Sequence, residues 1–331
     1  MTEFRKDLTS NEWILIASQR FKRPTNIISP KKSKVDVDYV EDCPFCFGNE
    51  LLTPPEKAVY KNSPESLLWK IRVIPNMFPA VSSERSNESS LIDNLFKTTS
   101  GYGFHEVIIE SPFHNQTIAK LKISEIECII RAYHDRFEDL AKESIKYIML
   151  FKNQGELAGA SIDHIHSQII AIPVISEYVR RKDEIALNYF KKTGRCLYCD
   201  LNKQELQLED RILCQNDDFL VFHPYASRYP FETWISPKHH KASFRNISAK
   251  EITTLASILL ETMVKIDRGL NRPDFNYLFY SAPIGEENSS YLHWYVQIVP
   301  RIHNVGGFEI GTGIYINTHA PEAAAKYLKE M

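Results

Sequence analysis

Cysteine and histidine carry most of the chemistry legible in this chain. Four of its six cysteines form two Cys-x-x-Cys pairs, Cys43-Pro-Phe-Cys46 and Cys196-Leu-Tyr-Cys199. One such pair alone suits a redox couple or a packed pair as well as a metal site. Here each pair is followed by histidines at matched points, His114 and His164 after the first, His240 and His293 after the second. Structural zinc takes four ligands from thiolates and imidazoles. The sets Cys43, Cys46, His114, His164 and Cys196, Cys199, His240, His293 are therefore expected to hold one or two zinc ions. His239 competes with His240, but the eight-residue step from Glu106 to His114 recurs from Glu232 to His240 and selects His240.

His166 stands two residues beyond His164, and Tyr295 takes the matching place beyond His293. One copy keeps an imidazole where the other carries a phenol, as expected of two metal scaffolds serving one reactive site. Around His166 the sequence gathers Asn153, Gly159, Ser161 and Gln168. These short neutral groups suit a bound phosphate, with His166 as nucleophile on phosphorus. The remaining histidines, His105, His134, His223, His303 and His319, are read as structural or solvated, and Cys128 and Cys214 as packing residues.

The elements that must position these groups also repeat. A strand-like run ends in Ser-Pro and then His in each half, Glu106 to His114 and Glu232 to His240. Each is followed by a helix start of the same reciprocal capping type: Ser124-Glu-Ile-Glu127 before Ile126, Ile130, Tyr133 and Phe137, and Ser248-Ala-Lys-Glu251 before Leu255, Leu259 and Val264. Alternating strand patterns follow, at Tyr147 to Phe151 and at Phe275, Tyr277 and Phe279. The order predicts an α+β fold, duplicated within the chain, with antiparallel sheets and packed helices rather than a doubly wound parallel sheet. The boundary is expected between residues 180 and 192, giving an N-terminal catalytic domain over 1–185 and a C-terminal domain over 186–331.

At 331 residues, the length suits about two domains. Forty Lys and Arg against 42 Asp and Glu leave a net charge of −2, which gives nucleic acid or an anionic membrane little to bind. No glycine-rich phosphate loop of the GxGxxG or GxxxxGK[ST] type is present. The charged opening lacks a signal-like apolar stretch and no run reaches membrane-spanning length, so a cytoplasmic location is expected. In a reducing compartment paired cysteines read as metal ligands before disulfides.

The run Phe151-Lys-Asn153-Gln-Gly-Glu-Leu-Ala-Gly159-Ala-Ser161-Ile-Asp-His164-Ile-His166-Ser-Gln168 resembles the active-site segment of the galactose-1-phosphate uridylyltransferase family, a branch of the histidine-triad (HIT) superfamily. The resemblance spans almost the whole chain, from Arg20-Phe-Lys-Arg23-Pro through the first Cys pair to Tyr229-Pro-Phe-Glu-Thr-Trp. Within the family it is most similar to the ADP-glucose phosphorylase branch, through Phe308-Glu309-Ile-Gly-Thr-Gly and Tyr315-Ile-Asn. It implies a duplicated HIT-like fold, often as a homodimer, and a ping-pong nucleotidyl transfer. His166 attacks the α-phosphorus of a sugar nucleotide, ADP-glucose or a UDP-hexose, and the nucleotidyl-histidine is resolved by phosphate or a hexose 1-phosphate. By the same resemblance Gln168 and Ser161 bind phosphate oxygens, Asn153, Gly159 and Asn76 place the nucleotide, Arg20 and Arg23 meet the acceptor or leaving phosphate, and Phe308 and Glu309 lie at the sugar. Zinc at His164 is then an organiser of the backbone beside His166.

Departures from the family pattern narrow this. His164-Ile165-His166 replaces His-Pro-His, and His293-Trp294-Tyr295 lacks the second imidazole of the uridylyltransferases. In their hexose-contacting stretch His303 replaces Lys, Phe308 replaces Tyr and Tyr315 replaces Gln, which argues against galactose specificity. Gln168 stands where hydrolases of the superfamily carry a third His and favours transfer over hydrolysis. The alternatives are uridylyl exchange between UDP-glucose and a hexose 1-phosphate, a dinucleoside polyphosphate phosphorylase or hydrolase, and a double zinc-binding module without catalysis.

Overall fold

Apolar alternation and helical stripes build two copies of one unit. The computed structural model describes residues 2–22, 37–84, 89–92 and 96–331. In the first half β1 (Thr2–Lys6), β2 (Trp13–Ala17), β3 (Ala58–Lys61), β4 (Trp69–Pro75), β5 (Ser89–Ile92), β6 (Phe96–Thr99) and β7 (Phe104–Ile109) lead to α1 (Ile123–Leu140), β8 (Tyr147–Gln154) and β9 (His166–Ile172). Then come α2 (Glu177–Thr193), α3 (Leu197–Leu208), β10 (Ile212–Gln215), β11 (Phe219–Phe222), β12 (Thr233–Pro237), α4 (Ala249–Gly269), β13 (Phe275–Tyr280) and β14 (Tyr295–Pro300). The chain closes with α5 (Gly307–Thr312), β15 (Tyr315–Asn317) and α6 (Pro321–Lys329).

Ten strands form one antiparallel sheet in the order β10-β11-β12-β14-β13-β8-β9-β7-β4-β3. Read outward from its middle, β8-β9-β7-β4-β3 and β13-β14-β12-β11-β10 are the same succession, so the α+β unit is duplicated about a pseudo-twofold. The halves meet where Asn153 pairs with Asn276 and Lys152 with Tyr277. Residue 185 lies within α2, and the sheet runs unbroken through both halves. A smaller sheet pairs β1, β2 and β15.

One face of the large sheet is covered by α1 packed on α4. Ile126, Ile130, Tyr133 and Phe137 are buried there as their spacing predicts, with Leu255 and Leu259 from α4. Val264 is only half-buried, because the helical period turns Met263 and Ile266 inward instead. Ser248 caps α4 as expected, accepting from the Glu251 N–H while the Glu251 carboxylate accepts from the Ser248 N–H. The first cap differs: α1 begins at Ile123, and the carboxylate that accepts the Lys122 N–H is Glu125, leaving Ser124 exposed inside the first turn. On the opposite face each half carries a smaller apolar cluster that includes its Cys pair, Cys43 and Cys46 with Trp69, Ile74 and Ile109, and Cys196 with Leu197, Trp234 and Tyr295. No helix among the described residues is long and apolar enough to cross a membrane.

Candidate active site

His166 opens β9 and is buried. Its Nδ1 lies 2.7 Å from the carbonyl oxygen of His164. A carbonyl can only accept, so Nδ1 carries the proton and Nε2 keeps its lone pair. Burial pushes the His166 pKa below the ordinary imidazole value, against the bond to His164, which leaves the ring neutral at physiological pH. The ring of Phe45, from inside the first Cys-x-x-Cys turn, meets it edge-on at 5.2 Å.

Behind the sheet, under α1, lies a polar network. The Lys152 ammonium, wholly buried, pairs with the equally buried Glu110 and donates to the His166 carbonyl at 2.9 Å. Glu110 also accepts from the hydroxyls of Tyr133 and Ser167, and Tyr277 joins the cluster from β13. His166 is thus held at two points, its ring by the His164 carbonyl and its backbone carbonyl by a buried ion pair.

The first metal-type group gathers Cys43 and Cys46 from the turn before β3, His114 from the loop after β7, and His164. Sγ of Cys43 and Sγ of Cys46 each lie 3.6 Å from His164 Nδ1, and Cys46 Sγ lies 3.6 Å from His114 Nδ1. A tetrahedral ion with Zn–S and Zn–N bonds of roughly 2.3 and 2.0 Å has S-to-N edges of about 3.5 Å. His164 Nε2 faces the Ser111 carbonyl at 2.7 Å, which turns the Nδ1 lone pair toward the thiols. Burial lowers the His164 pKa to about 4 and raises that of Cys43 to about 11, so the imidazole is neutral and a thiolate at Cys43 calls for a cation. The second group repeats the geometry. Cys196 stands just before the first residue of α3, Cys199 sits in its first turn, and Cys199 Sγ lies 3.4 Å from His240 Nδ1 and 3.6 Å from His293 Nδ1. His240 and His293 direct Nε2 at the carbonyls of Ser289 and Pro237, both at 3.0 Å. His239 is exposed and outside the group. Both groups fit a four-coordinate metal ion.

The expected phosphate-side residues fall on the same end of the sheet. Asn153 is the last residue but one of β8, and Gly159 closes the following turn at a left-handed φ of +85°. A Cβ at Gly159 would stand 3.8 Å from Asn153 Nδ2, so the two positions adjoin. Ser161 is exposed on the loop between Gly159 and His164. Gln168 lies on β9, and its Oε1 is 3.4 Å from Asn76 Nδ2. Arg20 follows β2, while Phe308 and Glu309 belong to α5 before β15. These three belong with the three-stranded sheet rather than with the strands that carry His166. The Glu309 carboxylate accepts the Gly306 N–H at 3.0 Å, capping its own helix. Arg23 lies outside the described residues.

At the matching place in the second half, Tyr295 is buried between Trp234 and Tyr280, with centroids at 4.2 and 4.8 Å and planes within 19° of parallel. Its hydroxyl accepts from the Lys182 ammonium, which enters from α2 and lies over the rings of Tyr178, Trp234, Tyr280 and Tyr295. The place that matches His166 is therefore filled by the protein's own side chains.

Four residues escape a reading of the sequence: Lys152, Glu110, His105 and Asn276. Lys152 and Glu110 do leave a mark, a charge in the buried register of an apolar strand and an acid closing the run Val107-Ile-Ile. His105 and Asn276 leave none, since their partners come from distant strands.

The family model described as the N-terminal domain of galactose-1-phosphate uridyl transferase matches residues 1–175, and one described only as a domain of unknown function matches residues 114–330. The chain is 37% identical to an Arabidopsis thaliana ADP-glucose phosphorylase over 99% of its own length and 93% of that protein. It is 26% identical to a Thermotoga maritima galactose-1-phosphate uridylyltransferase, covering 100% and 98%. The crystal structure of an Arabidopsis thaliana ADP-glucose phosphorylase with bound ADP-glucose superposes with a TM-score of 0.85 at 36% identity, covering 100% of this chain and 99% of that one. A family match over the half that carries His166, joined to full-length similarity in sequence and fold, places this chain in the galactose-1-phosphate uridylyltransferase family.

Proposed function

We propose that this enzyme transfers the nucleoside monophosphate of a sugar nucleotide, with ADP-glucose as donor and phosphate as acceptor, through a covalent nucleotidyl-His166. The observation that carries the reading is the tautomer of His166. Its Nδ1 proton is given to the His164 carbonyl and its neutral Nε2 is free to attack. Nε2 forms a bond to the α-phosphorus while the bond from that phosphorus to the oxygen of the departing glucose 1-phosphate breaks. An oxygen of inorganic phosphate then attacks the same phosphorus, the P–N bond breaks, and ADP leaves with His166 restored. Gln168 and Ser161 are assigned to the phosphate oxygens, Asn153, Gly159 and Asn76 to the nucleotide with Asn153 on the side of its α-phosphate, Arg20 and Arg23 to the acceptor or leaving phosphate, and Phe308 and Glu309 to the sugar.

Cys43, Cys46, His114 and His164 would hold zinc, as would Cys196, Cys199, His240 and His293. Bound at the first group, zinc supplies a rigid strut for the His164 carbonyl that orients His166. The two halves, 1–185 and 186–331, are read as a catalytic domain and a degenerate copy, the whole as a cytoplasmic homodimer, which sedimentation would test.

ADP-glucose labelled at the α-phosphate is expected to leave acid-labile label on the protein, and His166→Ala to take up none. Label on the His166→Ala chain overturns the reading. With phosphate present the expected products are ADP and glucose 1-phosphate. Faster turnover of UDP-glucose with galactose 1-phosphate would favour uridylyl exchange, the activity named for the Thermotoga relative.

A further inference from the structure

Two amides face the reaction centre in this reading, and an amide is two-sided. Its NH2 can stabilise a phosphoryl oxygen, whereas its carbonyl would repel one. The structure fixes which side each presents.

For Gln168 the sequence of constraints begins at Ala80. Its backbone N–H can only donate, and it lies 3.1 Å from His105 Nδ1, so the His105 proton is on Nε2. That Nε2 lies 2.8 Å from Gln168 Oε1. Asn76, whose own Oδ1 accepts the Phe78 N–H at 2.8 Å, adds Nδ2 to the same Gln168 oxygen. The Gln168 carbonyl is thereby turned inward and its NH2 outward. For Asn153 the anchor is the Ala158 carbonyl, which can only accept. Asn276 Nδ2 donates to it at 2.8 Å and gives its other proton to Asn153 Oδ1, also at 2.8 Å. Asn153 Nδ2 is then the side left facing Gly159. His105 comes from β7 and Asn276 from β13, the strand of the degenerate half that pairs with β8.

We propose that His105 and Asn276 are positioning residues that set the orientation of the Gln168 and Asn153 amides, so that both offer NH2 groups to the transferred phosphoryl group. The inference rests on the functional reading above. It assigns the second half a part in the chemistry of the first, exerted through Asn153.

His105→Glu replaces the donor by an acceptor and turns the Gln168 amide round. For ADP-glucose phosphorolysis kcat is expected to fall about 100-fold, the scale of losing one oxyanion donor, with KM changed less than about threefold. His105→Gln, which keeps an N–H near the Nε2 position, is expected to retain activity within about tenfold. In a Gln168→Leu background, His105→Glu is expected to add less than about a twofold loss, because it acts through Gln168. Asn276→Asp is paired with Asn153→Ala in the same way. Equal losses in both backgrounds of each cycle overturn the proposal. Should His105→Glu fail to fold, His105→Leu takes its place in the cycle. A wild-type chain that forms no labelled His166 overturns the functional reading and this inference with it, whereas labelled His166 with additive losses overturns this inference alone.

Discussion

Lys152 shows how a single charge can serve a neighbour's backbone. Burial lowers its pKa, and the attraction of Glu110 opposes that shift. Removing one member of a buried pair strands the other, typically at a cost of 3–5 kcal/mol, whereas replacing both by apolar groups is often neutral. Lys152→Met is therefore expected to lower unfolding free energy by about 3–5 kcal/mol in urea denaturation, and Lys152→Met with Glu110→Leu to recover most of it. The position proposed for the nucleophile was legible: a His two residues beyond a ligand-type His, with a Tyr at the repeat's matching place. The tautomer on which that proposal rests was not, because it depends on where the His164 carbonyl points.

The capping residues separate what an element's sequence dictates from what it only suggests. Both Ser-x-x-Glu motifs read alike, yet only Ser248 caps a helix. In α1 the preceding Glu125 reaches back to Lys122 instead, so the helix begins earlier. Ser248→Ala is expected to destabilise by about 1 kcal/mol and Ser124→Ala by less than about 0.5 kcal/mol, compared by thermal unfolding. The turn after β8 is more demanding. Gly155 has φ +86°, and a Cβ there would stand 2.1 Å from the Asp274 carboxylate, whose other oxygen accepts the Leu157 N–H at 2.9 Å. Gly155→Ala must break this contact, and slower labelling of His166 is the expected result, since the same turn carries Gly159 and leads to Ser161. The strand and helix periods gave the elements. The pairing of β8 with β13 could not be read from them, because register across the middle of the sheet is a tertiary matter.

Across the whole molecule the repeat was visible as matched Cys and His spacing, and the structure brings both groups of four together. Metal counting on purified protein is expected to find about two zinc ions per chain and about one in Cys43→Ser. Loss of the first ion should slow labelling of His166, while Cys196→Ser should lower Tm with little change in labelling. Acid should destabilise the fold through its buried imidazoles. Burial holds His223 and, with His303 adding, His319 at about 4, against 6.5 for an ordinary imidazole. The unfolded chain takes up these protons first, so this stability is present above pH 6.5 and is lost as pH falls through about 4. His319→Phe keeps a ring against Phe231 and is expected to flatten the fall of the urea midpoint over that range.

The seam at β8 and β13 also fixes what can be cut from the chain. Either half released alone would present its central strand as a bare edge, with a full row of unsatisfied N–H and C=O groups aimed at solvent. Such an edge recruits another strand. Because the two halves follow the same strand order, a second copy of the same half offers a ready template, and an isolated half is expected to recover a ten-stranded sheet by self-association or to precipitate. Covalent fusion turns that hazard into a permanent heterologous pairing, which lets the second half carry Tyr295 where the first carries His166 while its strand still closes the sheet.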